Sequence, residues 1–322
     1  MPRWFAWPNE MRESGILGIN RRNLAYISES NARELYPRVD NKLITKRFCE
    51  KHQIPAPATY GVLRTHGDVK HFGTVVVNYP DFVVKPARGS TGRGIVVVAR
   101  HDENAFVTSS GRSMSWPDLR YHLSAVVSGL YSLGGRPDHA IVEQRVVTHP
   151  SLEPVAVGGT PDVRVILYLG VPVMAMVRLP TFESGGCANL HQGAVAAAIN
   201  LTTGVTYGGV CHNRAIDAHP DNGLPIAGMQ LPDWGTLLDA AMRLGDVLKL
   251  GYLGVDFVFD AVAGPVVLEA NARPGLAIQV AHRFGIRPRL DHVAHSRPSD
   301  RTGDARWKLM ESLERFQPHS VS

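Results

Sequence analysis

The sequence predicts an α+β fold, with strands set in hairpins and amphipathic helices placed between them. Three observations carry this reading. Two pairs of apolar runs, VRVILYLG with VPVMAMVRLP and YLGVDFVFD with GPVVLEA, are separated only by short turns, at Leu169 to Val171 and at Ala263-Gly264. Residues 116–133 and 233–250 repeat their apolar side chains at helical spacing. No GxGxxG opens a helix after a first strand, so a parallel dinucleotide-binding sheet is not expected.

Taken in order, MRESGILGINRRNLAYISESNARELYP reads as a short helical preface broken by Pro37. Asp40 occupies an N-cap position before NKLITKRFCEKHQ, where Leu43, Ile44 and Phe48 recur at helical spacing. Pro55 and Pro57 end that helix. Four β-like runs follow, TYGVL, TVVV, DFVVKPA and GIVVVAR, and the last two flank a glycine-rich turn. HAIVEQRVV is a further strand. Beyond about residue 290 the chain is polar and charged, with one helical stretch at RWKLMESLERF, and reads as a surface appendage. These changes divide the chain into a preface (1–39), a subdomain with the glycine-rich loop (40–140), a second subdomain (141–290) and a tail (291–322).

A 322-residue chain that is 44% hydrophobic and 20% charged is expected to be a soluble globular protein with a buried core. No apolar run approaches the roughly 18 to 20 residues that span a bilayer. The start, MPRWFAWPNEMRES, has no apolar core of the secretory kind, so the cytoplasm is the expected compartment. Cys49, Cys187 and Cys211 are far apart and form no CxxC pair, which argues against a disulfide framework or a structural zinc site. Net charge is +5, which suits anionic partners such as nucleotides and acidic substrates. The basic residues are spread along the chain without an aromatic-studded run, so nucleic acid is not an expected partner.

Two segments carry chemistry. In Val83-Val84-Lys85-Pro86-Ala87-Arg88-Gly89-Ser90-Thr91-Gly92-Arg93-Gly94-Ile95, a strand delivers a lysine directly into a loop of three glycines and two hydroxyls. Glycines let backbone N–H groups approach phosphate oxygens, and lysine adds a point charge. The lysine precedes the glycines and a strand follows, so this is not a P-loop, and a plain flexible hairpin turn is the bland alternative. The second segment joins Gly254-Val255-Asp256-Phe257 to Leu268-Glu269-Ala270-Asn271-Ala272-Arg273-Pro274-Gly275. Glu269 and Asn271 are two apart on a strand end and share a face, which Asp256 on the neighbouring strand can reach. Two carboxylates and an amide oxygen are hard ligands suited to Mg²⁺, although a strand-end acid can also be simply solvated.

Together these segments resemble the ATP-grasp superfamily, in particular its RimK-like, α-L-glutamate-ligase-like branch of carboxylate–amine ligases. The resemblance covers roughly residues 40 to 280, through the Asp-x-Lys helix, the VVKP-glycine loop, the VEQ strand, the DVR strand and the LEANARPG end. It implies two subdomains gripping ATP between antiparallel sheets. It places Lys42 and Lys85 on ATP phosphates, with Ser90, Thr91, Gly92 and Gly94 closing over them. Glu143, Gln144 and Val146 become a hinge that reads adenine, and His149 a candidate ribose contact, although HPSLEPVAVGGT is longer than the usual pattern. Asp256, Glu269 and Asn271 would hold two Mg²⁺ ions, with Mn²⁺ as an alternative. Arg164, Arg178 and Arg273 would meet an acyl phosphate or a substrate carboxylate, and Asn189, His191 and Gln192 would form a substrate loop.

The implied reaction is ATP-dependent joining of an amine, with glutamate or another amino acid as the default, to a carboxylate-bearing small molecule, peptide or protein through an acyl phosphate. Only about 40 residues precede Lys42, where many members carry a further domain. Three expectations follow: a partner protein completes the acceptor site, a second copy of the chain completes it, or a large acceptor binds in an open cleft. Two rivals share the nucleotide site, a phosphotransferase and a non-catalytic nucleotide-binding module.

Overall fold

β-Branched and aromatic runs fill two antiparallel sheets in the computed structural model, which describes residues 8–89, 92–102 and 105–316. The first sheet holds β1 (Thr59–Leu63), β2 (Phe82–Pro86), β3 (Val96–His101), β4 (Ala105–Thr108), β5 (Ser113–Ser115) and β6 (Ala140–Glu143). Their spatial order is β1-β6-β2-β3-β4-β5. The second sheet holds β7 (Asp162–Tyr168), β8 (Val171–Leu179), β9 (Val195–Ile199), β10 (Thr206–Cys211), β11 (Arg214–Ala215), β12 (Tyr252–Asp260) and β13 (Gly264–Asn271), in the order β11-β10-β9-β8-β7-β12-β13. The three hairpins expected from the sequence pair antiparallel, as β2–β3, β7–β8 and β12–β13.

Each sheet has its own apolar core. The smaller is closed by the Trp116–Val127 helix, whose Leu119, Leu123 and Val126 are fully buried. The larger is closed by the Trp234–Leu248 helix through Leu237, Ala241, Leu244 and Leu248. The Trp234 indole N–H donates to the Leu201 carbonyl at 2.7 Å, so its polar edge is satisfied inside that core.

Four readings change. TVVV does not form a strand: Phe72–Val76 is a short helix, because Phe72 and Val76 stand one turn apart and both bury completely while Val77 remains exposed. The helical period of apolar burial thus overrides the β-preference of valine. The cap of the Lys42–Lys51 helix is Asn41, whose side chain accepts from Leu43 N, while Asp40 ends the preceding turn Pro37–Asp40. β6 stops at Glu143, and the next residues leave the sheet as a connection to the second one. The tail is no appendage, since Leu309, Met310 and Leu313 are buried and pack in the larger core. The Arg289 guanidinium donates to the Val173 carbonyl at 2.9 Å and meets Glu314 at 3.5 Å, so a charged sequence conceals a core element.

The helical preface also belongs to the second sheet. The Asn31 amide donates to the Tyr252 carbonyl at 2.8 Å and accepts from Tyr252 N at 2.7 Å. Gln279 makes the same reciprocal pair with the backbone of Leu17, at 2.8 and 3.0 Å. Among the described residues no helix is long and apolar enough to cross a membrane.

Candidate active site between the two sheets

The first sheet builds a cationic pocket. β6 lies between β1 and β2, so Glu143 stands in register with Val83, two residues from Lys85. One Glu143 oxygen meets Lys85 Nζ at 2.5 Å, and the other meets Lys46 Nζ at 2.6 Å. All three side chains are largely buried. Burial alone would raise the Glu143 carboxyl, but Lys85 and Lys46 more than reverse it and hold it below its usual range. Burial outweighs the attraction of Glu143 at Lys46 and lowers its ammonium pKa. Two cations on one carboxylate leave an excess positive charge, which is the requirement for gripping an anion.

Lys46 was missed in the sequence, although its signal was present. It follows Lys42 by four positions in DNKLITK, so both lie on one helix face. Lys46→Met is expected to raise KM for ATP by roughly tenfold, since about 1.4 kcal/mol of charge-assisted binding is lost. Steady-state kinetics beside a melting curve check it, because the buried Glu143 keeps Lys85 as a partner.

Lys42 links the two sheets. Its Nζ donates to the Gly89 carbonyl at 2.7 Å and pairs with Glu269 at 3.3 Å across the cleft. The gap bounded by Lys42, Lys85, Gly89, Gly92 and Glu269 encloses only about 30 Å³. A small-molecule pocket needs roughly 300 Å³ or more, so this gap is too small for one while the pair is formed.

The glycine-rich loop turns at Gly92 and Gly94, both at positive φ (74° and 78°). Gly94 also lies flat against Tyr131, where an added Cβ would stand 2.6 Å from the ring. Its carbonyl accepts from His122 Nε2 at 3.0 Å, and His122 Nδ1 faces the Tyr131 hydroxyl at 3.4 Å. Burial lowers the His122 pKa, which favours the neutral ring that can serve both partners. His122→Ala should free this end of the loop and raise KM for ATP about fivefold, roughly one hydrogen bond, with little change in kcat. Ser90 and Thr91 lie outside the described residues.

The second sheet presents a charge ladder on one face. Cross-strand register pairs Arg164 with Asp256 and Asp256 with Glu269, and it pairs Arg178 with Asp162 two residues along β7. Arg164 grips both Asp256 oxygens, at 2.7 and 2.6 Å, and Arg178 reaches one of them at 3.2 Å. Arg178 also forks onto Asp162 at 2.5 and 2.6 Å. Burial alone would raise Asp256, and the two guanidinium groups hold it low instead. At Asp162 burial wins, and the carboxyl is pushed up to about 6.

Asp256 therefore offers no open oxygen in this arrangement, whereas Glu269 is half-buried with Lys42 as its cation. Asn271, two residues on, is half-buried at the same strand end. Among the described residues no three His, Cys, Asp or Glu side chains converge as a metal cluster. Glu269 and Asn271 thus fit an ion that takes two protein oxygens and completes its shell with phosphate and water, which is the habit of Mg²⁺.

The other predicted positions are placed as follows. Gln144 exchanges hydrogen bonds with Ala58, accepting at its side chain (3.2 Å) and donating from its backbone (2.8 Å). Val146 is half-buried on the connection to the second sheet, where Val147 N donates to Asp260 at 3.0 Å. The His149 ring meets Ser151 Oγ at 2.9 Å and begins a 3₁₀ turn over Pro150–Val155. Arg273 is exposed, with its guanidinium 5.0 Å from the Tyr36 ring centroid. Asn189 caps a turn over Leu190–Gln192 by accepting from His191 N at 3.0 Å, and His191 and Gln192 are exposed. This loop follows the end of β8 at Leu179, and among the described residues no hydrogen bond or ion pair joins Asn189, His191 or Gln192 to the charge ladder.

With this geometry in view, residues 21–295 match the description of the sugar-transfer associated ATP-grasp family. The chain belongs to that family. The two antiparallel sheets and their helices are accordingly an ATP-grasp fold. No curated protein matches this ATP-grasp chain by sequence. Among solved structures it is similar to the ATP-grasp ligase PsnB complexed with a minimal precursor, at 15% identity and a TM-score of 0.45, covering 83% of this chain and 64% of that one. It is similar to the D-cycloserine synthetase DcsG, at 14% identity and a TM-score of 0.44, covering 92% and 79%. It is also similar to the D-alanyl-alanine synthetase A of Vibrio cholerae O1 biovar eltor, at 13% identity and 0.45, covering 86% and 67%. The chain spans less than two thirds of the length of the PsnB chains it matches.

Proposed function

We propose that this ATP-grasp protein is an ATP- and Mg²⁺-dependent carboxylate–amine ligase. The observation that carries the reading is the meeting, in one cleft, of Lys42, Lys85 and the glycine loop with Glu269 from the opposite sheet. A triphosphate needs cations and backbone donors on one side and a carboxylate that can hold its metal on the other. Family membership supports the nucleotide.

In this reading Lys85 and Lys46 hold the inner phosphates, with Glu143 fixing both ammonium groups, and Lys42 moves from Glu269 onto the outer phosphates. Gly92 and Gly94 bring backbone N–H groups over them, together with Ser90 and Thr91. Gln144 and Val146 present backbone groups to the base, and His149 is the nearest ribose candidate along the chain. Glu269 and Asn271 hold the ion, and Asp256 joins them only if Arg164 and Arg178 turn toward substrate. Bound Mg²⁺ would neutralise charge on the transferring phosphoryl group. Arg164 and Arg178, already fixed by carboxylates, supply the donors that steady an acyl phosphate and the oxyanion formed when an amine attacks it. Arg273 and the Asn189–Gln192 turn border the substrate side. The acceptor is a carboxylate on a small molecule, peptide or protein, and the donor is an amino acid, glutamate being the first to try.

The test is ADP release screened over amino acids and carboxylate acceptors, with mass spectrometry of the product. An amide formed together with ADP supports ligation. A stable phosphorylated product without an amide would overturn it in favour of phosphoryl transfer to a retained group.

A further inference from the structure

A second cavity lies on the far side of the strand-end turn. It measures about 390 Å³, within the range that holds one small molecule. Three segments distant in the chain enclose it: Ile16 from the preface, Val210 and Asn213 at the β10–β11 hairpin, and Leu276, Val280 and Arg283 with Phe284 beyond Gly275. Ile16 and Val280 are 41% and 37% exposed, so apolar surface that the fold could have covered faces the opening.

The polar content is sharply uneven. Gln279 contributes to the wall, but its amide is committed to Leu17 and to Ile286 N. Among the described residues no acidic side chain lines the space. Arg283 is exposed, and among the described residues its guanidinium has no carboxylate or carbonyl partner. Arg289 and Arg22 are engaged elsewhere, Arg289 with Val173 and Glu314 and Arg22 with the Pro274 carbonyl. A hollow of mixed lining, with Ile16, Val210, Leu276, Val280 and Phe284 on its apolar side and one uncommitted guanidinium as its charged group, matches a molecule with an apolar body and a single anionic head.

We propose that this cavity is a binding site for a small apolar carboxylate, held by Arg283 at its head and by Ile16, Val280 and Phe284 along its body. The site adjoins the charge ladder, since a side chain at Gly275 would stand 4.0 Å from Arg164 Nη1, and Leu276 is the next residue. The proposal does not depend on the ligase reading, because it needs neither nucleotide nor metal.

Calorimetric titration of the full chain, without nucleotide, tests it with 4-phenylbutyrate, 4-phenylbutanol and 4-phenylbutylamine. The acid is expected to bind saturably, the alcohol about tenfold more weakly, and the amine more weakly still. Arg283→Ala should bring the acid down to the level of the alcohol, and Val280→Asp should remove binding of the acid and the alcohol. Both positions are exposed, and melting curves confirm that the variants fold. The site is overturned if the acid shows no saturable binding up to about 10 mM, if Arg283→Ala binds it unchanged, or if the amine binds as well as the acid.

Discussion

Glu269→Ala is expected to reduce ADP release at least about a hundredfold, roughly 3 kcal/mol of transition-state stabilisation, while the protein stays folded. The side chain is half-buried at a strand end and its partner is a lysine across a cleft, so its deletion should cost less than about 1 kcal/mol of stability. That separation of effects makes the variant informative. A turnover number for Glu269→Ala within threefold of the parent, at saturating Mg²⁺, would remove Glu269 from the metal assignment. Glu269→Gln adds a second readout. It retains an oxygen donor but not the charge, so raising Mg²⁺ should recover part of its activity and none of that lost in Glu269→Ala.

Asp256→Ala should instead damage the fold. Its carboxylate is buried and balances Arg164, so removing it strands that guanidinium inside the second sheet and takes the lesser of two partners from Arg178. Breaking a buried pair in this way costs about 3–5 kcal/mol. Chemical denaturation of the variant measures this directly. The double variant Arg164→Met with Asp256→Leu should recover much of the loss, because the site then holds no unpaired charge and Arg178 keeps Asp162. A loss below about 1 kcal/mol in Asp256→Ala would mean that the guanidinium groups find solvent, and the buried network would not be structural.

The hairpins and the larger helices were legible because their signals are local. Val163, Val165 and Leu167 alternate into the core, and the Trp234–Leu248 helix repeats apolar residues on one face. TVVV misled because two of its neighbours' contacts, those of Phe72 with Phe82 and Phe106, are tertiary. The tail misled for the same reason: nothing in the charge of Arg289 announces that Val173 and Glu314 wait for it. In the site, strand-end spacing correctly put Glu269 beside Asp256 in register. What spacing does not encode is occupancy. Asp256 and Glu143 each sit between two cations drawn from other elements, and only the folded sheets bring those together.

The manner in which the larger core is closed bears on how the chain acquires its structure during synthesis. β1 to β6 span residues 59–143 without interruption from elsewhere, so the first sheet can assemble as soon as that stretch is available. Leu17 and Asn31 are made earlier but find their hydrogen-bond partners, Gln279 and Tyr252, more than 200 residues later. Until β12 and the helices after it emerge, those two residues lack their native hydrogen-bond partners. The second sheet therefore folds last and through its longest loops, and the nascent preface is the segment most in need of protection from premature association.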